Sequence, residues 1–373
     1  MHGIDLLNLY DIIDNIAKNT TPKRGCGRNG DGKINVYVPE NIGIMLENDA
    51  MMFEVYKRDG RTINKNKFLG LLISGYYGDY VTEARTAYDM ILASLRANDI
   101  HEKKVEQIAE CILRDIVLPE VPSRKGKNPA RLSLKPTKDN EALIEQIMMN
   151  LGGEDYISQY FCRMFMSYCD KPFSKREQII FKNNYETLQM ACGTGKSLTF
   201  KTIWNAKNIH EVIPYKVVTG PEEMFNYLLC AELNPITEKQ EARTFRLNRI
   251  DRINYGRSMS SIDDSVVHYL DRMLQYGPQY MINDSEESCV RLTDSGVRNF
   301  SRIYYGRPKV ERVEEKEDGH YYFFRCSKDQ VFFYFRRFGY EDAEIISPEP
   351  LRKKMIDFHS MALSMYQERE GAK

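Results

Sequence analysis

Residues Ala191 to Phe200 spell ACGTGKSLTF, and Gly195-Lys196-Ser197 is how a phosphate-binding P-loop ends. Such a loop also needs a glycine five positions before Gly195, and Met190 stands there. It needs a strand before it and a helix after it, so that backbone N–H groups ring the phosphates. The flanks here are inverted. In PFSKREQIIFKNNYETLQMA, Phe181, Tyr185, Leu188 and Cys192 fall at helical intervals, and Ser174 and Glu177 have capping-box spacing. The following SLTFKTIW is β-branched and aromatic, as a strand would be. No apolar run ending in a magnesium-holding Asp is sensibly placed after Lys196. The stretch is a connection into a strand, and nucleotide hydrolysis is set aside.

A second cluster lies some fifty residues on, in ARTFRLNRI, where Arg243, Arg246 and Arg249 are spaced by three. On one strand they cannot all share a face unless the strand ends or bulges near Asn248. If sheet curvature gathers them, their guanidiniums make a site of planar donors for an anion, and Tyr215 and Tyr227 on neighbouring strands could stack bases. Single-stranded nucleic acid asks for that combination, a π-face for each base and a cation for each phosphate. The alternative is internal: the tyrosines fill the interior, and the arginines pair with Glu232, Glu241 and Asp251.

The elements that must position these residues follow from the whole chain. Its 373 residues exceed one ordinary core and imply about two to four domains. A hydrophobic content of 42% and a charged content of 28% are those of a globular protein, with no apolar run long enough to span a membrane. The start, MHGIDLLNLYDIIDNIAKN, lacks a basic opening and a small-residue cleavage site, so no secretion signal is read and a cytoplasmic location is expected. The eight cysteines form no CxxC pair, and the six histidines lie near none of them at ligand spacing. Reduced, mostly buried thiols are expected, with no metal and no cofactor. A formal net charge of zero excludes a uniformly basic coat but permits local patches.

Two segments share one order. Lys33, Asn35 and Tyr37 alternate with Ile34, Val36 and Val38, the period of a strand with one wet face. Pro39 then opens a helical pattern, and Asn64 is placed to cap a second helix carrying Phe68, Leu71 and Leu72. About a hundred positions later, Arg131, Ser133 and Lys135 alternate with Leu132 and Leu134, and again two helical patterns follow. A lone strand cannot satisfy its ladder groups, so the two are expected to zip antiparallel. The other possibility is two unrelated helical hairpins. Between the segments come two more helical patterns and then PEVPSRKGKNPAR, a Pro-rich basic linker with Arg124, Lys125 and Lys127.

From residue 172 the texture becomes that of short strands: SLTFKTIW, HEVIPYKVV, FNYLLCAEL and ARTFRLNRI, which suggest a small bent sheet or barrel. Residues 260–373 follow a β-α-β-β-α-β order after an initial helix, with Asp318-Gly319 as a hairpin signal and a terminal helix. Tyr321 to Phe324 give both faces of one strand aromatic cover. One of those faces is a candidate subunit interface.

These residues carry resemblances. The strand-helix-helix pair over residues 31–80 and 129–170 resembles the ribbon-helix-helix family, which implies that Lys33, Asn35, Tyr37, Arg131, Ser133 and Lys135 face nucleic acid. The IPY strand, Tyr227-Leu228 and RTFRLNRI resemble the WYL domain, an Sm-like barrel, for which the usual pattern reads R-x-F-R-L-D-R-I. Asn248 departs from that Asp, Asn226 stands where Trp is usual and Phe200 where Tyr is frequent; these departures bear on the pocket rather than the fold. The resemblance implies a nucleic-acid pocket of Phe200, Tyr215, Tyr227, Arg243, Arg246 and Arg249. The expected architecture is α+β and multidomain: residues 1–171 a helical tandem ribbon-helix-helix-like region, 172–258 the WYL barrel, and 259–373 a ferredoxin-like domain that dimerises. The combination is similar to the WYL accessory proteins of type VI-D, RNA-guided RNA-cleaving CRISPR effectors. It implies a non-enzymatic, homodimeric protein that binds single-stranded RNA and stimulates the effector ribonucleoprotein. The competing reading is a WYL-family DNA-binding regulator whose WYL domain senses a nucleotide or nucleic-acid ligand.

Overall fold

In the computed structural model of the chain, Ile34–Val38 (β1) pairs antiparallel with Ala130–Leu134 (β2), Val36 opposite Leu132 and Asn35 opposite Ser133. Ile34, Val36, Val38, Leu132 and Leu134 are buried, so the expected dry face lies inward. The structure describes residues 32–98, 102–118, 129–151, 157–192, 194–220, 224–259 and 261–370. The N-terminal segment and the linker residues Arg124, Lys125 and Lys127 lie outside them.

Pro39 opens Glu40–Met52 (α1), and Asn64 caps Lys65–Ala97 (α2) by accepting from the Lys67 N–H at 3.0 Å. α2 is one helix of 33 residues, where the sequence suggested a second repeat helix followed by a separate bridging helix. No proline interrupts it, and Gly75 is required within it. A Cβ there would sit 2.0 Å from the Ile179 carbonyl oxygen, so close is the helix that crosses it. Glu102–Ile112 (α3), continued by a π turn at Leu113–Val117, buries Ala109 and Leu113 with Tyr88 of α2, against Ile91, Leu92 and Leu95. After β2 come Glu141–Asn150 (α4) and Ile157–Cys169 (α5), completing the second strand-helix-helix order.

Phe173–Ile180 (α6) also belongs to this part, its Phe173 ring 5.0 Å from that of Phe53. The Ser174–Glu177 capping box is not formed: Pro172 is the N-cap, Ser174 lies inside the helix and Glu177 is buried. Asp49, 1% exposed, holds α1, α5 and α6 together. It accepts from the Tyr168 hydroxyl at 2.9 Å and from Arg176 Nε at 2.7 Å and Nη2 at 3.1 Å. The chain divides into two compact units, Met1–Asn183 and Asn184–Lys373, the division falling within Lys182–Cys192 (α7).

The second unit begins where the P-loop-like stretch ends. Cys192 closes α7, Gly195 turns at φ +65°, and Lys196–Thr202 (β3) follows, so helix precedes strand as expected. Asn205–Thr219 (β4), Asn226–Leu233 (β5), Gln240–Arg246 (β6) and Ile250–Met259 (β7) complete a sheet of order β6-β5-β4-β3-β7, antiparallel throughout. Of the bent sheet or barrel expected, a five-stranded sheet is what is seen. Among the described residues no ladder joins β6 to β7, because the chain between them is taken up by a 3-10 turn at Leu247–Arg249. The free edge of β6 is held instead by Asn283, which accepts from the Ala242 N–H at 2.8 Å and donates to the Ala242 carbonyl at 3.1 Å.

Asp264–Tyr276 (α8) leads to Ser288–Leu292 (β8), Asp294–Arg302 (α9), Arg312–Lys316 (β9), Gly319–Phe324 (β10), Lys328–Phe335 (α10), Ala343–Ser347 (β11) and Glu349–Glu370 (α11). The sheet order β11-β8-β10-β9, all antiparallel, is a split β-α-β arrangement. Thr293 and Ser327 cap α9 and α10. Tyr322 and Phe324 face the helices, 5.3 and 6.3 Å from the Phe300 ring. Tyr321 and Phe323 alternate to the other face, where Lys316 and Arg312 lie over their rings. The α+β, multidomain class is therefore observed. No helix among the described residues is long and apolar enough to cross a membrane. Five of the seven described cysteines are buried, and all seven are free.

Asp49→Ala is expected to cost about 3–5 kcal/mol, because it strands the largely buried Arg176 charge. Urea unfolding followed by the helical circular dichroism signal measures this, and a midpoint equal to that of the wild type contradicts the assigned role.

Candidate nucleic-acid interface

The ladder between β5 and β6 decides where the arginines go. Tyr227 lies opposite Arg246 and Cys230 opposite Arg243, so alternation sends Arg243 and Arg246 to opposite faces of the sheet. Arg249 has left the strand and sits exposed on the 3-10 turn. The strand does end near Asn248, which is buried, but its ending does not gather the three guanidiniums on one face.

On one face, Arg243 is clamped by carboxylates, its Nε 3.3 Å from Glu232 and its Nη2 3.0 Å from Glu241. For this residue the internal pairing is the one adopted. Glu232 also meets His210 Nδ1 at 2.8 Å. The His210 ring packs 4.8 Å from Phe245 and 5.7 Å from Phe200. Phe200 is 1% exposed, a core residue in this conformation rather than an open stacking platform. Arg243, His210 and Glu232 line a groove of about 940 Å³ together with Lys207, Glu211 and Gln240. Its signs are mixed, so it suits a ligand offering donors and acceptors together, such as a nucleobase edge, better than a bare phosphate.

On the opposite face, the Arg246 guanidinium stacks 3.2 Å from the centre of the Phe225 ring. Tyr227 is its ladder partner and closes over Gly220, where a Cβ would come 3.3 Å from the tyrosine ring. Tyr215 points to α8, donating its hydroxyl to Asp271 at 2.6 Å. That bond, with burial, raises the pKa of the phenol above the ordinary tyrosine value. The expected pocket is thus divided: Phe200 and Arg243 share one face, Tyr227 and Arg246 the other, Tyr215 is tied to α8, and Arg249 stands on the exposed turn. Asp251 pairs with Arg252, at 3.5 Å, a partnership the spacing did not suggest.

Sequence reasoning missed His210 and Asn283, and it named Glu232 only as a partner for an arginine. His210 and Glu232 meet only because β4 and β5 are in a particular register, with Val212 opposite Glu232. No motif signals that. Asn283 lies in an irregular segment and acts only through the β6 edge it reaches.

The ribbon presents Arg131 and Ser133 to solvent, with Tyr37 half-buried. Asn35 is buried beneath Arg131, whose Nε and Nη2 donate to its Oδ1 at 3.1 and 3.0 Å. Lys33 and Lys135 flank the paired strands and are exposed. The Lys135 backbone is clasped by the Asn66 side chain, its N–H donating at 2.7 Å and its carbonyl accepting at 3.1 Å. The ribbon is therefore braced from below while its cations stay in water.

No protein-family model matches the chain, and no curated protein matches it. Among solved structures, a protein described as CRISPR Cas-related is similar over 93% of this chain and 97% of its own, with a TM-score of 0.63 and 17% identity. At that identity the likeness shows a shared fold. Proteasome accessory factor B/C of Arthrobacter aurescens matches over 96% of this chain and 54% of its own at 11% identity, with a TM-score of 0.24, and no common fold is drawn from it.

Asn283→Ala should release the β6 edge that carries Arg243 and Arg246. Native-state hydrogen exchange at the Ala242 amide is expected to accelerate by about tenfold, the loss of roughly one buried hydrogen bond. Exchange as slow as in the wild type would show that Asn283 does not hold this edge.

Proposed function

We propose that this chain is a non-enzymatic accessory protein that binds single-stranded RNA and stimulates an RNA-guided RNA nuclease of the type VI-D CRISPR class. The observation that carries the reading is one architecture, shared nearly end to end with a CRISPR Cas-related protein, that joins a paired ribbon to an arginine- and tyrosine-bearing sheet. Single-stranded RNA needs aromatic and cationic groups together. Aromatic faces stack bases, arginines neutralise phosphates, and a braced ribbon adds a second basic surface. Stimulation would follow from local capture of RNA for the effector, with no catalytic residue supplied by this protein. The ribbon-helix-helix-like, WYL and ferredoxin-like identities of the parts belong to the same proposal.

A second reading, a DNA-binding regulator with a ligand-sensing WYL domain, is favoured by one feature. A two-stranded ribbon with outward Arg131 and Ser133 is a shape that the major groove admits. A salt series of affinities for single-stranded RNA, single-stranded DNA and duplex DNA separates the two. Tight RNA binding favours the accessory role, and preference for duplex DNA with an inverted repeat favours the regulator. In that series Arg246→Ala or Arg249→Ala is expected to weaken single-strand binding and to flatten the salt slope by about 0.7 for each phosphate that is no longer neutralised. Lys196→Ala should change little, and loss of binding in that variant would reopen the P-loop-like stretch as a site.

The proposal includes a homodimer through residues 259–373. The far end of α11 leaves Met361, Leu363, Met365 and Tyr366 between 57% and 73% exposed. Sedimentation at micromolar concentration should give a dimer, and a monomer there removes this part of the proposal.

A further inference from the structure

The hairpin joining β3 to β4 turns at Ile203 and Trp204, and Trp204 is the one tryptophan of the chain. It is 62% exposed. A large indole held in water on a rigid turn is unusual, since exposing its apolar surface gains nothing for the fold. The turn is fixed from both sides. Lys201 lies in the ladder between Ile209 of β4 and Asp251 of β7, and the Ile203 N–H donates to the Arg249 carbonyl at 3.0 Å. The tip of the hairpin is therefore bonded directly to the RLNRI turn.

This placement collects charge. Lys201, Lys207, Arg249 and Arg252 lie on or beside the hairpin end, against two nearby carboxylates, Asp251 and Glu211. Arg252 pairs with Asp251 at 3.5 Å, but both side chains are more than half exposed, and such a pair is readily exchanged for a phosphate. Arg252 also has φ +55°, in the left-handed region that side-chain-bearing residues rarely occupy. Within the sheet, by contrast, Arg243 is held by two carboxylates and Arg246 is stacked on Phe225. At the hairpin end Lys207, Arg249 and Arg252 are exposed and Lys201 is half-buried.

We infer that the outer end of this hairpin is a base-stacking subsite for single-stranded RNA, with Trp204 offering its indole face and Lys201, Lys207, Arg249 and Arg252 meeting the flanking phosphates. The excess of cations at the site is complementary to a polyanion, and a single flat aromatic beside it is complementary to one unstacked base. The inference rests on the RNA-binding reading above and says where on the second unit the strand lies.

Because the chain has one tryptophan, its fluorescence reports on this position alone. The experiment titrates the full-length protein with a short fluorescein-labelled oligouridylate, following label anisotropy for binding and tryptophan emission for stacking. Emission is expected to be quenched in step with the anisotropy. Trp204→Ala should weaken binding roughly 10- to 100-fold, Trp204→Phe should retain most of the affinity, and Arg252→Ala should lower the salt slope. Anisotropy that saturates while emission stays unmoved, with Trp204→Ala binding like the wild type, overturns the subsite and leaves RNA binding standing. An oligonucleotide that fails to bind even at low salt overturns the RNA-binding reading itself.

Discussion

The backbone of β1 has no neighbouring strand along the chain, and its N–H and C=O groups must be paired somewhere. The partner it finds is β2, whose Arg131 is 96 positions from Asn35. Closing that ladder brings the two strand-helix-helix segments together. Once Val36 faces Leu132, the dry sides of both strands must be covered by the helices that follow them. Asp49 then ties α1 to α5 and α6 through a buried charge whose partners come from two other segments. The first unit follows from one pairing requirement and the packing it forces.

The same requirement shapes the second unit and limits its chemistry. Five antiparallel strands satisfy one another except at the outer edges, and the β6 edge is satisfied by a side-chain amide in place of a strand. Because the sheet stays open, both its faces are used. One side of β4, β5 and β6 contributes Leu229, Ala231 and Ala242 to the core shared with the C-terminal layer. The other side carries Phe200, Phe245 and the His210–Glu232–Arg243 group. A sheet used on both faces cannot concentrate all its arginines in one pocket, since alternation divides them. The surface left over is the end of the β3–β4 hairpin, where strand pairing supplies rigidity and nothing in the core requires burial.

Much of the fold could be read from periodicity. The wet and dry alternation of β1 and β2, the Asn64 cap, the helix-then-strand order around Lys196 and the C-terminal β-α-β-β-α-β order all depend on neighbours within a few residues. Local physics suffices there. What escaped was the continuation of α2 through the region read as a bridge, the choice between a bent sheet and a barrel, and which of the arginines pairs internally. Each depends on an approach between distant segments: α6 against Gly75, Asn283 against β6, and β5 against β6 in a single register.

By itself the sequence determined which residues carry charge and aromatic surface, that they lie on strands, and that the nucleotide-like stretch is a turn between helix and strand. Tertiary structure alone decided which of them remain available. Arg243 met Glu232 and Glu241, Phe200 became core, and Tyr215 was bonded to Asp271, while Trp204, without a motif to mark it, was left in water beside Arg249. The reason is that availability is a property of ladder register and burial. Those are set by backbone pairing across tens of residues, and residue type and spacing do not encode it locally.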